Sequence, residues 1–155
     1  MRVLILSNIR SAENVGSMLR SADAFGVDCV CLVGYTPSPI DRYGRPMGKL
    51  IKASLGAEKS VRWEKHKDMA GCIAELREQD KSIHLIALEQ DERSVPLKKV
   101  RPPASWALIV GNEVEGVEAT ALNMADKIVE IPMQGSKESL NVAVAAGIAL
   151  NHLSA

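Results

Sequence analysis

Three short polar segments carry the side chains best suited to chemistry. The first is Asn14-Val15-Gly16, with Arg20 six residues after Asn14. A guanidinium there presents a planar fork to a phosphate or to a developing oxyanion. At 100° per residue, Arg20 lies about 120° round a helix from Asn14. From the spacing alone, Arg20 reads first as a surface residue paired with Asp23, three positions on. The second segment is Gly111-Asn112-Glu113-Val114-Glu115-Gly116. Its glycines allow the backbone to come close to a ligand, or simply to turn tightly. The third runs from Ile131-Pro132-Met133 to Ser139-Leu140-Asn141. Ser136 or Ser139 in it could cap the helix that follows.

Other chemistries find little support. His66, His84 and His152 are scattered, and no His/Cys spacing along the chain suits a zinc site, so no metal is expected. His84 reads as a core or edge residue. Cys29 and Cys31, two apart in a strand, read as buried thiols, and Cys72 falls on the apolar face of a helix. There is no GxSxG nucleophile motif, no GxGxxG fingerprint and no phosphate loop ending in Gly-Lys-Ser/Thr.

The elements that must hold these segments alternate strand and helix. Val3 to Leu6 is a short apolar run, read as a buried strand. Ser11 to Phe25 reads as a helix, because Val15, Met18, Leu19, Ala22 and Phe25 share one face. Asn14 is its expected cap and Gly26 its stop. Val27 to Val33 is a second strand. Gly34 to Gly48 is a loop rich in proline and glycine. Lys49 to Leu55 is a short helix and Ser60 to Trp63 a weak strand. Lys67 to Glu78 is an amphipathic helix with Met69, Cys72, Ile73 and Leu76 inward. Ile83 to Leu88 and Trp106 to Val110 are strands joined by a charged connector. A short helix over Glu118 to Asn123, a strand over Ile128 to Ile131 and a helix over Leu140 to Leu153 complete the chain. This alternation implies an α/β fold with a mostly parallel sheet and helices on both faces. Ligands in such sheets bind beyond the carboxyl ends of the strands.

At 155 residues the chain is expected to be one domain, 1–155, with 46% hydrophobic and 25% charged residues. No apolar run approaches the ~20 residues of a membrane helix. The opening residues do not read as a signal peptide. An odd count of three cysteines argues against a disulfide framework. A cytoplasmic protein is expected. Charge balances at 19 against 19, so bulk charge does not draw nucleic acid. Yet Arg42, Arg45, Lys49, Lys52, Lys59, Arg62, Lys65 and Lys67 face only Glu58 and Glu64 between positions 42 and 67, a local net charge of +6. With 3% aromatic residues, a base-stacking platform is not expected. The last helix is apolar on nearly every side, which implies a partner surface.

In order and spacing, the three segments resemble the three motifs of the SpoU/TrmH family of RNA ribose 2′-O-methyltransferases, in the SPOUT superfamily. Asn14 to Gly26 is similar to the first motif, Gly111 to Gly116 to the second, and Ile131 to Ala145 to the third. The resemblance covers essentially the whole chain. It implies an α/β knot, a C-terminal trefoil in which the chain end threads a loop. That is a topology which pattern reasoning does not reach. It implies S-adenosylmethionine as cofactor, a homodimer, and a 2′-O-methylated nucleotide in tRNA or rRNA as product.

Carried over, Arg20 would be the central catalytic residue and Asn14 its positioner. Glu113, Ser139 and Asn141 would order the site. Leu88, Gly111, Ile131, Met133, Ser139 and Leu140 would hold the cofactor. Relatives with extra RNA-binding domains or flanking helices imply that here the core itself, a partner copy or an accessory protein holds the RNA. Arg42, Arg45, Lys49, Lys52 and Arg62, with Arg20, are the expected RNA contacts. The family proposal makes the equivalent arginine a general base. A guanidinium stays charged because its pKa lies above ~12. A clamp on the phosphate and developing alkoxide therefore suits it better. A non-catalytic RNA-binding or assembly module with the same fold is the alternative.

Overall fold

The computed structural model describes residues 1–155. Its strands are β1 (Arg2–Ser7), β2 (Cys29–Val33), β3 (Arg62–His66), β4 (His84–Leu88), β5 (Val95–Pro96), β6 (Trp106–Val110) and β7 (Lys127–Glu130). Its helices are α1 (Ala12–Ala24), α2 (Gly48–Ser54), α3 (Ala57–Ser60), α4 (Met69–Gln79), α5 (Ala119–Met124) and α6 (Val142–Leu153). A single 3-10 turn covers Leu97–Lys99. The seven strands form one sheet in the order β3-β2-β1-β6-β4-β7-β5, and every pairing is parallel. No helix is long and apolar enough to cross a membrane.

Alternation along the central strands builds two cores. Leu4, Leu6, Leu108 and Val110 point to one face and pack beneath α1, α2 and α6. Val3, Ile5, Ala107 and Ile109 point to the other, beneath α4 and α5. Strands buried on both faces must be apolar at every position, so β2 and β6 read as continuous runs.

Helix α1 starts where the sequence places it, but with a different cap. The Ser11 side chain accepts from the Asn14 backbone N–H, so Ser11 is the cap and Asn14 lies one turn inside. This frees the Asn14 side chain for other contacts. Gly16 lets α1 press on α2, because a Cβ there would collide with the Leu50 carbonyl and lie 2.8 Å from Ala53 Cβ.

Other boundaries also differ. The weak strand expected at Ser60 to Trp63 is β3, shifted to Arg62–His66 and preceded by α3. Its pairing with β2 overrides a weak local pattern. The connector after β4 contains β5, which pairs with β7. Helix α6 begins at Val142, and Asn141 caps it by accepting from the Ala143 and Val144 N–H groups, not Ser136 or Ser139.

Candidate functional site

The carboxyl ends of β4, β6 and β7 open into one cavity of about 570 Å³. Leu88 ends β4, Gly111 follows β6 and Ile131 follows β7. Met133, Ser139 and Leu140 come from the connection into α6 and complete the same wall. All six residues expected to hold a cofactor therefore line one cavity. A Cβ at Gly111 would strike the Gly116 backbone, so only glycine allows this loop to close on itself. The closure is a pair of backbone hydrogen bonds between Asn112 and Gly116.

A short polar relay ties the three sequence segments together at the rim. Asn141 Nδ2 donates to Asn14 Oδ1 at 3.3 Å. Asn14 Nδ2 donates to Glu113 Oε1 at 3.2 Å. The other Glu113 contacts come from the start of α1: Ser11 N–H to Oε1 at 3.2 Å and Arg10 N–H to Oε2 at 3.1 Å. Partial burial pushes the Glu113 carboxyl up, but the N–H groups of Arg10 and Ser11 and the Asn14 amide outweigh it, and its pKa falls below the ordinary range. An anion at the amino end of a helix is also favoured by the helix dipole. Glu113 thus braces the start of α1 against the second segment.

Arg20 is not brought to the cavity. It is exposed on α1, without a hydrogen bond or ion pair inside the chain. Nor does it pair with Asp23, whose carboxylate accepts from the Ser60 hydroxyl at 2.7 Å. One turn before Arg20, Ser17 lines a shallow groove between α1 and α6, with Asn14, Ser21, Asn141, Val144 and Ile148. The guanidinium is free for an external group beside that groove.

The basic segment divides into paired and free charges. Arg42 and Arg45 flank the exposed ring of Tyr43, at 4.8 and 4.9 Å from its centroid. Arg45 also pairs with Asp41 at 2.9 Å, and Arg62 pairs with Glu64. Lys65 donates to the Gly34 and Thr36 carbonyls and ties down the loop. Lys49 and Lys52 stand exposed on α2 without a carboxylate partner.

Several site residues carry no clear sequence signal. Asn112 is buried, donates to Asn8 O at 2.9 Å and Tyr35 OH at 2.7 Å, and accepts from Val114 and Glu115 N–H. Glu89 accepts from Val117 N–H at 2.8 Å, and Gln90 Nε2 donates to Glu138 O at 2.7 Å. These contacts hold the two cavity loops to the end of β4. Glu89 and Gln90 lie past a strand end, where spacing rules lose their grip. Asn112, inside a glycine-bounded turn, was the one a sequence could flag.

The SpoU rRNA Methylase family model matches residues 1–151. The chain belongs to this family. Among curated relatives, it is 32% identical over 152 residues to the 23S rRNA (guanosine(2553)-2′-O)-methyltransferase RlmP of Bacillus subtilis (strain 168), covering 98% of this chain and 57% of that protein. The chain thus spans little more than half of the curated relatives it matches. Among SpoU structures, the methyltransferase AviRb from Streptomyces viridochromogenes in complex with AdoMet superposes with a TM-score of 0.84 at 25% identity, over 98% of this chain and 56% of that one. A structure described as giving insights into the 2-OH methylation of C/U34 on tRNA superposes with a TM-score of 0.82 at 26% identity, over 99% of this chain and 93% of that one. These superpositions extend to the mostly parallel sheet with its helices described above.

Proposed function

We propose that the protein transfers a methyl group from S-adenosylmethionine to a ribose 2′-hydroxyl of RNA. The observation that carries this reading is the Asn141–Asn14–Glu113 relay, which joins all three motifs at the mouth of the cavity. The cavity suits the cofactor in kind. Leu88, Ile131, Met133 and Leu140 offer apolar walls to an adenine, and Glu89, Glu115 and Glu130 offer carboxylates to a cationic, polar ligand. When bound, S-adenosylmethionine supplies the reactive methyl on a sulfonium.

The chain's own residues supply position and charge. The ribose 2′-hydroxyl oriented by these residues would be the acceptor of that methyl, and its proton would leave to solvent or to an RNA phosphate. Arg20, exposed outside the cavity of its own chain, clamps the phosphate next to the target ribose. Asn14, held by Glu113 and Asn141, orients the ribose. Ser139 hydrogen-bonds the ligand at the cavity wall.

The whole of 1–155 acts as one catalytic domain in this reading, and its C-terminal segment is a trefoil knot. The path of the chain supports this: β7 lies between β4 and β5, yet α6 returns to pack on α1. Two copies pair through α6, whose Val144 and Ile148 are 52% and 43% exposed. RNA lies along Lys49, Lys52 and the Arg42–Tyr43–Arg45 cluster, with an accessory protein completing the grip. Three buried free thiols fit a reducing, cytoplasmic setting. The named relatives act on 23S rRNA and one structural neighbour concerns tRNA, so both RNA classes enter the test.

The deciding experiment incubates the protein with methyl-labelled S-adenosylmethionine and separate tRNA and rRNA fractions lacking this modification. Label recovered as a 2′-O-methyl nucleoside from one fraction is the expected result and names the substrate class. Absence of both label and cofactor binding by calorimetry would move the protein to a non-catalytic RNA-binding role.

A further inference from the structure

A second cluster of reactive side chains lies away from the cavity, on the other half of the sheet. Cys31 on β2 pairs in register with Glu64 on β3, and His66 follows two residues later on the same face. Helix α4 covers that face and brings Cys72 down onto it. The donor atoms of Cys31, His66 and Cys72 all lie within 4.8 Å of one another, and all three residues are buried. Cys29, Cys31 and Glu64 form an overlapping group, as do Glu64, His66 and Glu75.

The histidine is the informative member. His66 Nε2 is buried and has no hydrogen-bond partner. The Glu64 carboxylate stands 3.5 Å from it, and Glu75 stands 3.6 Å from Nδ1. A buried ring nitrogen without a partner costs free energy, and such atoms are rare. Here the ring sits among two thiols and a carboxylate. Each of these is a good ligand for a borderline-soft cation.

We propose that Cys31, Cys72 and His66, closed by Glu64, form a zinc(II) site that staples β2, β3 and α4 together. Four donors around one tetrahedral zinc are about 3.4–3.8 Å apart, given Zn–S near 2.3 Å and Zn–N near 2.0–2.1 Å. Cys31, Cys72 and His66 already lie within 4.8 Å of one another and need only close in to reach that, while the Glu64 carboxylate, beside Cys31 and His66, swings in as the fourth donor. Thiolate and imidazole donors select zinc over magnesium or calcium. Glu75 is placed to accept from the other ring nitrogen, the usual outer support of a zinc-bound histidine. Binding converts two thiols to thiolates and releases two protons per zinc, with no change of oxidation state. The site is structural, because all its ligands come from the protein and close it to substrate. It anchors β3, the edge strand that leads from the basic segment into α4. It is independent of the methyl-transfer reading.

The test uses the full chain, stripped of metal and kept reduced, titrated with cobalt(II) and then zinc(II). One cobalt per chain, with a thiolate-to-cobalt charge-transfer band and tetrahedral visible bands, is expected, and one equivalent of zinc should bleach both. The Cys31→Ala/Cys72→Ala variant should lose the charge-transfer band while its far-UV circular dichroism stays native. Should that variant fail to fold, alkylation of the wild-type chain gives the same information: zinc should shield Cys31 and Cys72, mapped by mass spectrometry. A cobalt complex without the charge-transfer band, a band that survives in the double variant, or unchanged alkylation with zinc would each overturn the assignment.

Discussion

Arg20 and Glu113 carry opposite charges and opposite duties. Arg20 is exposed and unpaired, so its fork is available to an RNA phosphate. Replacing it with lysine keeps the charge but removes the bidentate geometry. Arg20→Lys is expected to lower kcat/KM about 10²-fold, the scale of a misplaced reacting group. Near wild-type turnover in the labelled-methyl assay would remove the need for a planar fork. Glu113 instead spends its charge inside the chain. Its carboxyl pKa is depressed in the folded state, so the brace is fully present above the ordinary glutamate pKa of about 4.3 and is lost as pH falls through the lower folded value. Glu113→Gln should therefore lower the melting temperature at pH 7, and the gap to wild type should close in the acid limb. A gap constant from pH 7 to pH 3 would show that ionisation of Glu113 does not stabilise the fold.

At the scale of elements, the start of α1 depends on how closely it meets α2. Gly16 faces the Leu50 carbonyl with no room for a methyl group. Gly16→Ala raises helix propensity by about 1 kcal/mol, but the collision costs roughly 1–3 kcal/mol by forcing the two helices apart. Net destabilisation in urea is expected, together with loss of activity, because Asn14 moves with the helix. A variant of unchanged midpoint would mean that α2 yields freely. The element boundaries teach the same lesson. Ser11 and Asn14 are both good capping residues, and local chemistry does not choose between them. The choice falls to Glu113, which gathers the N–H groups of Arg10 and Ser11 and leaves Asn14 free to bridge to Asn141.

On the scale of the whole molecule, two surfaces remain to be used. One is the apolar face of α6 with Val144 and Ile148 exposed. If two copies pair through α6 as proposed, Ile148→Glu should lower the sedimentation coefficient from that of a dimer to that of a monomer, and an unchanged coefficient would rule out α6 as the contact. The other is the basic surface of α2 and the loop before it. Arg45 and Arg62 already have carboxylate partners, whereas Lys49 and Lys52 do not. Lys49→Gln/Lys52→Gln should weaken RNA binding and flatten its log–log salt slope by about 1.5, close to two released counterions. An unchanged slope would put the RNA on another face.

The sequence by itself determined the α/β class, because fully buried strands must be apolar throughout and surface helices must be amphipathic. The six residues that the family resemblance marked for the cofactor all line the cavity, five of them in the second and third polar segments. What it could not reach is whatever depends on contact between distant segments. The shift of β3 follows from pairing with β2, and β5 exists only because β7 offers it an edge. The Asn141–Asn14–Glu113 relay spans 127 and 99 residues in its two links. The Cys31–His66–Cys72 cluster has no motif along the chain, since its members come from two strands and a helix. Periodicity reports which face of an element is buried. Only the tertiary packing decides which side chains meet there.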